Sequence, residues 1–454
     1  MTETSKLLFS RIKNNLITKE VDIAPLVIFR LIFSLLMLSS LVRFWAKGWI
    51  YDLYILPTFH FKYFGFEWIE APGDPGIYVL FSLVMLSTVF MFFGFFYRIA
   101  AVVFFLGFTY IELIDKTTYL NHYYFVSLIA FLMVFLPANR YFSIDCKLNP
   151  KLQNRTIQAW SINLLKLQLG IVYFFAGIAK LNYEWLVNAM PLKMWLPAHA
   201  SKPVIGFLFK YTGVSYLFSW FGALYDLAIP FLLLSKKFRT LAYLLVIIFH
   251  VLTYWLFPIG MFPFIMISCT LIFFSEEFHK NLLRRLEVMV QWRNKDSSAF
   301  STSRIGSFGI LSIVLLVCFQ VVFPFRHLVY EGPLFWHEQG YRFGWRVMLM
   351  EKAGTAFFYA SEPKTNKHFE IRNSDYLTAN QEKVMATQPD MILEFAHHIA
   401  DDLKTKGWEN PEIRSDVYVT LNGSGTRPFI DSKTNLVSIQ DSWKEKQWIL
   451  PFEN

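Results

Sequence analysis

The sequence predicts a polytopic α-helical membrane protein, with about nine transmembrane helices and a C-terminal extramembrane domain of α+β or mostly-β type. Three observations predict it. Hydrophobic residues fill 55% of the 454 positions and charged residues 17%, against about 45–50% and about 25% in soluble domains. Several apolar runs approach the roughly 20 residues that a helix needs to cross a bilayer. From Phe325 the composition turns polar, which sets the expected division at residues 1–324 and 325–454.

Taken in order, the first 20 or so residues are mostly polar and carry no cleavable signal pattern, so the first apolar run should remain as a helix. The expected spans are residues 23–45, 76–95, 99–114, 122–137, 157–181, 216–234, 240–257, 260–274 and 306–323. The third and fourth, and the seventh and eighth, can also be read as long hairpins. Alternate loops are rich in lysine and arginine: Lys6, Arg11, Lys13 and Lys19; Arg98; Arg140, Lys147, Lys151 and Arg155; Lys236, Lys237 and Arg239; Lys280 to Lys295. The positive-inside rule puts these in the cytoplasm, with the N-terminus inside and everything beyond Pro324 outside. The lipid bilayer is then the expected partner. The net charge of +9 follows from topology and calls for no nucleic acid. The serine-rich stretch 297–303 reads as a mobile cytoplasmic loop. In the outer domain TAFFYAS, HFEIRN and DVYVTL read as strands, Asn422-Gly423 as a hairpin turn, and residues 391–403 as a helix.

The chain is organised around LQLGIVYFFAGIAKLNYEW, residues 167–185. Gly170, Tyr173, Gly177 and Lys180 recur at three- and four-residue steps and share one helix face. Two glycines there admit either a second helix or a flat ligand close to the backbone. Lys180 either snorkels to the headgroups or works as a buried amine. The topology puts Lys180, His122 and His250 all in the outer half. Arg30 and Asp226 are intramembrane charges and so functional candidates; pairing with each other is the simpler structural account. The cysteines Cys146, Cys269 and Cys318 have no metal-ligand spacing, and neither a disulfide nor a metal is expected. P-loop, Rossmann and zinc-type signatures are absent from the sequence.

Four segments resemble the vitamin K-dependent γ-glutamyl carboxylase family, in order along nearly the whole chain. They are YRIAAVVFFLGFTYIELIDKTTYLNHYYF leading to ANRYFSID; YFFAGIAKLN with Glu184-Trp185; His250 followed by IGMF; and WHEQGYRFGWRVMLM. The resemblance implies oxidation of vitamin K hydroquinone (phylloquinol or menaquinol) by O2 to the epoxide. The oxygen base so made removes a γ-proton from a glutamate in a protein or peptide, and CO2 adds to the carbanion. Lys180 aligns with the family's catalytic lysine, and a desolvated neutral amine suits that task. Asn121 and His122 match the Asn-His pair, suited to stabilising an oxyanion; Asn121 is equally a good helix N-cap. Tyr173 matches a tyrosine of the glutamate pocket, or is a packing aromatic. Gly177 and His250 are expected near the quinone, His250 being otherwise bonded to a neighbouring span. Trp336, Trp345 and Met348 match the segment lining the glutamate site. Lys352 stands where the family has arginine, within Met350-Glu351-Lys352 in place of His-Ser-Arg. Lysine lacks the bidentate fork of arginine, so a quinol epoxidase without carboxylation is the competing expectation. A transporter or scaffold is a third, with no paired broken helices to support it.

Overall fold

The computed structural model describes residues 17–292, 306–365 and 367–452. The N-terminal charges Lys6, Arg11 and Lys13, and the stretch 297–303, lie outside the described residues. The helices are α1 (Ala24–Ala46), α2 (Gly73–Phe93), α3 (Tyr97–Ile114), α4 (Asn121–Phe135), α5 (Trp160–Ala179), α6 (Thr212–Leu234), α7 (Arg239–Leu256), α8 (Phe262–Thr270), α9 (Glu276–Met289) and α10 (Ser307–Val322).

Every segment expected to span is helical, but the count of nine is not reached. Among the described residues seven helices are long and apolar enough to cross, or eight if one bent pair is a single span. That pair is α8, extended by a 3-10 turn at Leu271–Phe273, and α9, bent away by 111°. The break has a local cause. Ser275 accepts a hydrogen bond from the amide of Phe278, and Glu276 and Glu277 occupy the first turn of α9. A side-chain cap and two carboxylates at the positive end start a new, polar-faced helix. The fourth expected span, α4, has only 15 residues.

The two ends of the bundle differ. At one end β1 (Glu20–Asp22) pairs antiparallel with β2 (Thr156–Gln158), a contact too short to leave a sequence pattern. Asp22 meets Lys280 at 3.6 Å and Arg155 meets Glu287 at 3.0 Å beside it. Arg30 belongs to this end. Its guanidinium donates to the carbonyls of Ala138 and Phe142, each at 2.5 Å. The expected pairing of Arg30 with Asp226 is therefore wrong: the loop after α4 leaves carbonyls unsatisfied, and a fork of N–H donors answers them.

At the other end lies the sheet-containing region. Its strands β3 (Lys352–Glu362), β4 (Lys367–Ile371), β5 (Glu412–Leu421) and β6 (Thr426–Pro428) form an antiparallel sheet in the order β4-β3-β5-β6. Burial alternates along β3 and β5, as one-sided packing requires. The β5–β6 turn has Asn422 and Gly423 both at positive φ, 50° and 70°, the geometry for which Asn-Gly is suited. Two helices, α11 (Ala379–Met385) and α12 (Pro389–Thr405), pack with the sheet; α12 buries Ile392, Phe395, Ile399 and Leu403 from one face.

Loops on the expected outer side hold this region in place. Phe61 is part of its core. Lys116 bridges Asp390 at 3.1 Å and Glu394 at 2.8 Å. Gln381 donates to the Phe59 carbonyl at 2.7 Å and to Asp115 at 2.9 Å. The indole of Trp195 donates to Glu351 at 2.5 Å.

Candidate functional site: two cavities and a shared wall

The end of α5 brings Lys180 against α6. Gly177 makes this possible. A β-carbon there would sit 2.8 Å from the backbone nitrogen of Leu227 and 2.7 Å from its side chain. The glycine face of α5 thus packs on α6. The close approach at Gly177 is made to a helix rather than to the cavity. Its consequence is that Asp226, next to Leu227, meets Lys180. Nζ donates to Oδ2 at 2.6 Å, with both residues buried.

Lys180 and Asp226 open into a cavity of about 330 Å³, lined otherwise by apolar and aromatic groups and by Tyr173, His250 and Trp345. The Tyr173 hydroxyl lies 3.3 Å from His250 Nε2 and 3.3 Å from Thr270 Oγ1. Two buried polar atoms on the lining residues have no partner: His250 Nδ1 and Trp345 Nε1. Unsatisfied buried groups are costly, and at a cavity wall they suit a ligand with polar ends.

A second, more polar cavity of about 540 Å³ adjoins it. Asn121, His122, Arg43 and Arg346 line it. The His122 ring lies 4.6 Å from Tyr123 and 5.7 Å from Phe262, and its nitrogens have no hydrogen-bond partner among the described residues. Arg43 has no carboxylate partner there either, stacks 5.1 Å over Trp49 and leaves its Nε unsatisfied. Arg346 is bound at both ends of its fork, Nη2 at 2.9 Å from His327 Nδ1 and Nη1 donating to the Gly344 carbonyl at 3.3 Å.

Ile259, Phe262, Val347 and Met348 line both cavities. The Phe262 ring stands between the two histidines, 5.7 Å from His122 and 5.6 Å from His250. The polypeptide half of this wall is strained. Glu338, Phe343, Trp345 and Met348 all have positive φ, 55°, 59°, 59° and 54°. A bulky L-residue pays about 1–2 kcal/mol for that conformation, and such residues concentrate where function over-determines the backbone.

Two family models match the chain. The HTTM domain covers residues 18–278 and the vitamin K-dependent gamma-carboxylase lumenal domain covers residues 306–454. The chain belongs to the vitamin K-dependent γ-carboxylase family. No solved structure matches it. Membership makes it a multi-pass membrane protein whose C-terminal region is the lumenal domain of that family.

Seen as a member of the family, the chain brings together most of the residues singled out in its sequence. Lys180, Tyr173 and His250 share the apolar cavity with Trp345 and Met348, and Asn121 and His122 share the polar one with Met348. Two others fall elsewhere. Trp336 lies in the core of the lumenal domain, packed on Phe429 and Phe452, its indole donating to the Leu450 carbonyl at 2.7 Å. Lys352 is buried with it, its amine bound to the Trp336 carbonyl at 2.6 Å and to Glu338 at 2.9 Å. Burial lowers the pKa of that amine, and Glu338 pulls it back up. Neither residue lines either cavity, though Lys352 holds Glu338, which lines the polar one.

Asn121 is not the N-cap of α4, since that position is Leu120. Its amide donates to the Arg346 carbonyl at 2.7 Å, and its oxygen accepts from the Tyr119 hydroxyl at 3.0 Å. Sequence reading missed Arg43, Arg346 and Phe262. The motif WHEQGYRFGWRVMLM contains Arg346, and a cation near the outer end of a span was the available signal for Arg43.

Proposed function

We propose that this protein carboxylates the γ-carbon of glutamate side chains in a protein or peptide, coupled to oxidation of vitamin K hydroquinone by O2. The observation that carries the reading is the adjacency of two unlike cavities. One holds a buried amine–carboxylate pair and the other an unpaired histidine beside a free arginine, with a thin wall between.

The aromatic lining of the apolar cavity suits a naphthoquinol ring. When bound, the hydroquinone supplies the reducing power that turns O2 into a strong base. The work of the chain is to take a proton at Lys180 Nζ. Asp226 at 2.6 Å keeps the pair neutral overall, which an apolar site tolerates far better than a lone charge. The amine can accept a proton only in its uncharged form. Tyr173 and His250 hold each other and fix the cavity wall. In the polar cavity Arg43 is the candidate partner for the substrate carboxylate. His122, unpaired, is the candidate donor to the charge that develops as CO2 adds.

We place residues 1–324 in and around the membrane with the N-terminus cytoplasmic, and residues 325–454 outside. Lysine and arginine in the loops at the β1–β2 end support this orientation.

One observation favours a narrower activity, hydroquinone epoxidation alone. The Lys352 amine is committed to Glu338 and is not free for a carboxylate. Arg43 answers that objection. A single assay separates the two readings. Purified protein in lipid receives reduced vitamin K or menaquinol, O2, a glutamate peptide and labelled CO2, and both products are measured. Epoxide together with fixed CO2 is expected. Epoxide without fixed CO2 selects the narrower activity. Neither product from folded protein would sink both.

A further inference from the structure

The segment 338–348 beside the wall has several anchors: Lys352 meets Glu338 at 2.9 Å, Arg342 donates to Asp390 at 2.6 Å, Arg346 Nη2 lies 2.9 Å from His327 Nδ1, and Tyr119 holds its middle. Tyr119 lies just before α4 and lines the polar cavity. Its hydroxyl accepts from the amide of Phe343 at 2.7 Å and donates to Asn121 Oδ1 at 3.0 Å. Asn121 in turn donates to the Arg346 carbonyl at 2.7 Å. The Tyr119 ring also packs edge-on to Phe343 at 5.0 Å. One phenol therefore ties down the middle of the strained stretch, directly at Phe343 and through Asn121 at Arg346, and Tyr124 stacks on Trp345 at 5.0 Å beside it. Four of the ten described non-glycine residues with positive φ fall between 338 and 348. A segment so far from relaxed backbone stays in place only while its hydrogen bonds hold it.

We infer that Tyr119 is a positioning residue of the reaction: through Phe343 and Asn121 it clamps residues 343–348 as the partition between the Lys180 cavity and the His122 cavity. Asn121 then acts through the Arg346 carbonyl, without touching reacting atoms. The partition has to hold because a base made on one side must be spent on a glutamate on the other. A displaced Met348 or Trp345 admits water, which consumes the base unproductively. Loosening the clamp therefore uncouples the two halves. The inference rests on the proposed carboxylation, but the clamp can be read without it.

The experiment compares full-length wild type, Tyr119→Phe, Asn121→Ala and the double variant in lipid nanodiscs. Epoxide formed per CO2 fixed is counted, and backbone amide exchange is followed across residues 338–350. The expected result is a several-fold rise of the ratio in both single variants, with the double variant no worse than either. Exchange of residues 343–348 should speed up while α4 and the β3–β5 pair keep their protection, which also shows that the variants are folded. Unchanged exchange in Tyr119→Phe overturns the clamp. Faster exchange with an unchanged ratio overturns its role as a partition. If wild type forms neither product, the carboxylation reading fails and the partition role with it, while the exchange data still decide whether Tyr119 holds the segment.

Discussion

The two cavities are neighbours built on opposite principles. The Lys180 cavity is almost wholly apolar and carries its charge as one internally satisfied pair. The His122 cavity is lined by polar and cationic groups, with Arg43 and the His122 ring left unpaired. The first suits a ligand that arrives from the bilayer and gives up a proton where water is scarce. The second suits an acidic side chain that arrives from the aqueous side. The contrast fits the proposed division between making a base and using it, with Ile259, Phe262, Val347 and Met348 lining both cavities.

The sharpest way to break this comparison is to remove the active group from each side. Lys180→Ala should lower epoxide and fixed CO2 together, by about 10²–10⁴-fold, the range for a lost general base. His122→Ala should lower fixed CO2 and leave most of the epoxide. If both substitutions abolish epoxide equally, the cavities are not separate stages.

A second test asks whether the Lys180–Asp226 pair is satisfied only by itself. Asp226→Leu strands a buried amine and should destabilise by about 3–5 kcal/mol. The double substitution Lys180→Met with Asp226→Leu should recover most of that, although it makes no product. Thermal unfolding in lipid reads both. A double variant as unstable as the single one would mean that packing, and not charge, accounts for the loss.

The polar side is sharpened by Arg43→Gln. A hydrogen bond to a charged group is worth about 1.5–3 kcal/mol, so KM for the glutamate peptide should rise about 10–100-fold with KM for the quinol unchanged. Steady-state kinetics against each substrate separates the two. Equal effects on both would dissolve the division of labour.

The smallest expected effect is on docking of the lumenal domain over these cavities. Burial by itself would raise the pKa of the Asp390 carboxyl, but Arg342 and Lys116 outweigh it and hold that carboxyl well below the usual aspartate range. A depressed acid contributes stability above its unfolded pKa, and the contribution fades as pH falls through the range below about 3.9. Melting should therefore weaken on acidification from about pH 4 downward. Asp390→Asn should lower stability at neutral pH and flatten that dependence.

Much of the fold was legible before any coordinates. Apolar run length located all seven helices long enough to cross, because the bilayer imposes a length and forbids unpaired backbone, but it counted two segments too many, or one if the bent pair is a single span. Alternation and an Asn-Gly turn gave the strands of the lumenal domain. Length could not reveal that α8 stops at a serine cap and turns, nor that three residues near each of Glu20 and Thr156 pair as strands. Residue types and the family resemblance singled out Lys180, Tyr173, Asn121, His122, His250, Trp345 and Met348, which the fold sets on the two cavities. What they did not give is who faces whom. Trp336 and Lys352 carry the motif but face the core of the lumenal domain, because a tryptophan and a lysine stem are as useful for packing as for binding. Asp226 and Arg30 are both buried charges, and sequence alone could not choose their partners. Gly177 decided that by letting α6 come close enough to set Asp226 against Lys180. The sequence by itself thus determined the helical membrane class, where the long apolar helices lie, and the family. Only the tertiary structure decided the pairings, the two cavities and the wall between them, because those depend on side-chain distances of a few ångström between segments up to 225 residues apart.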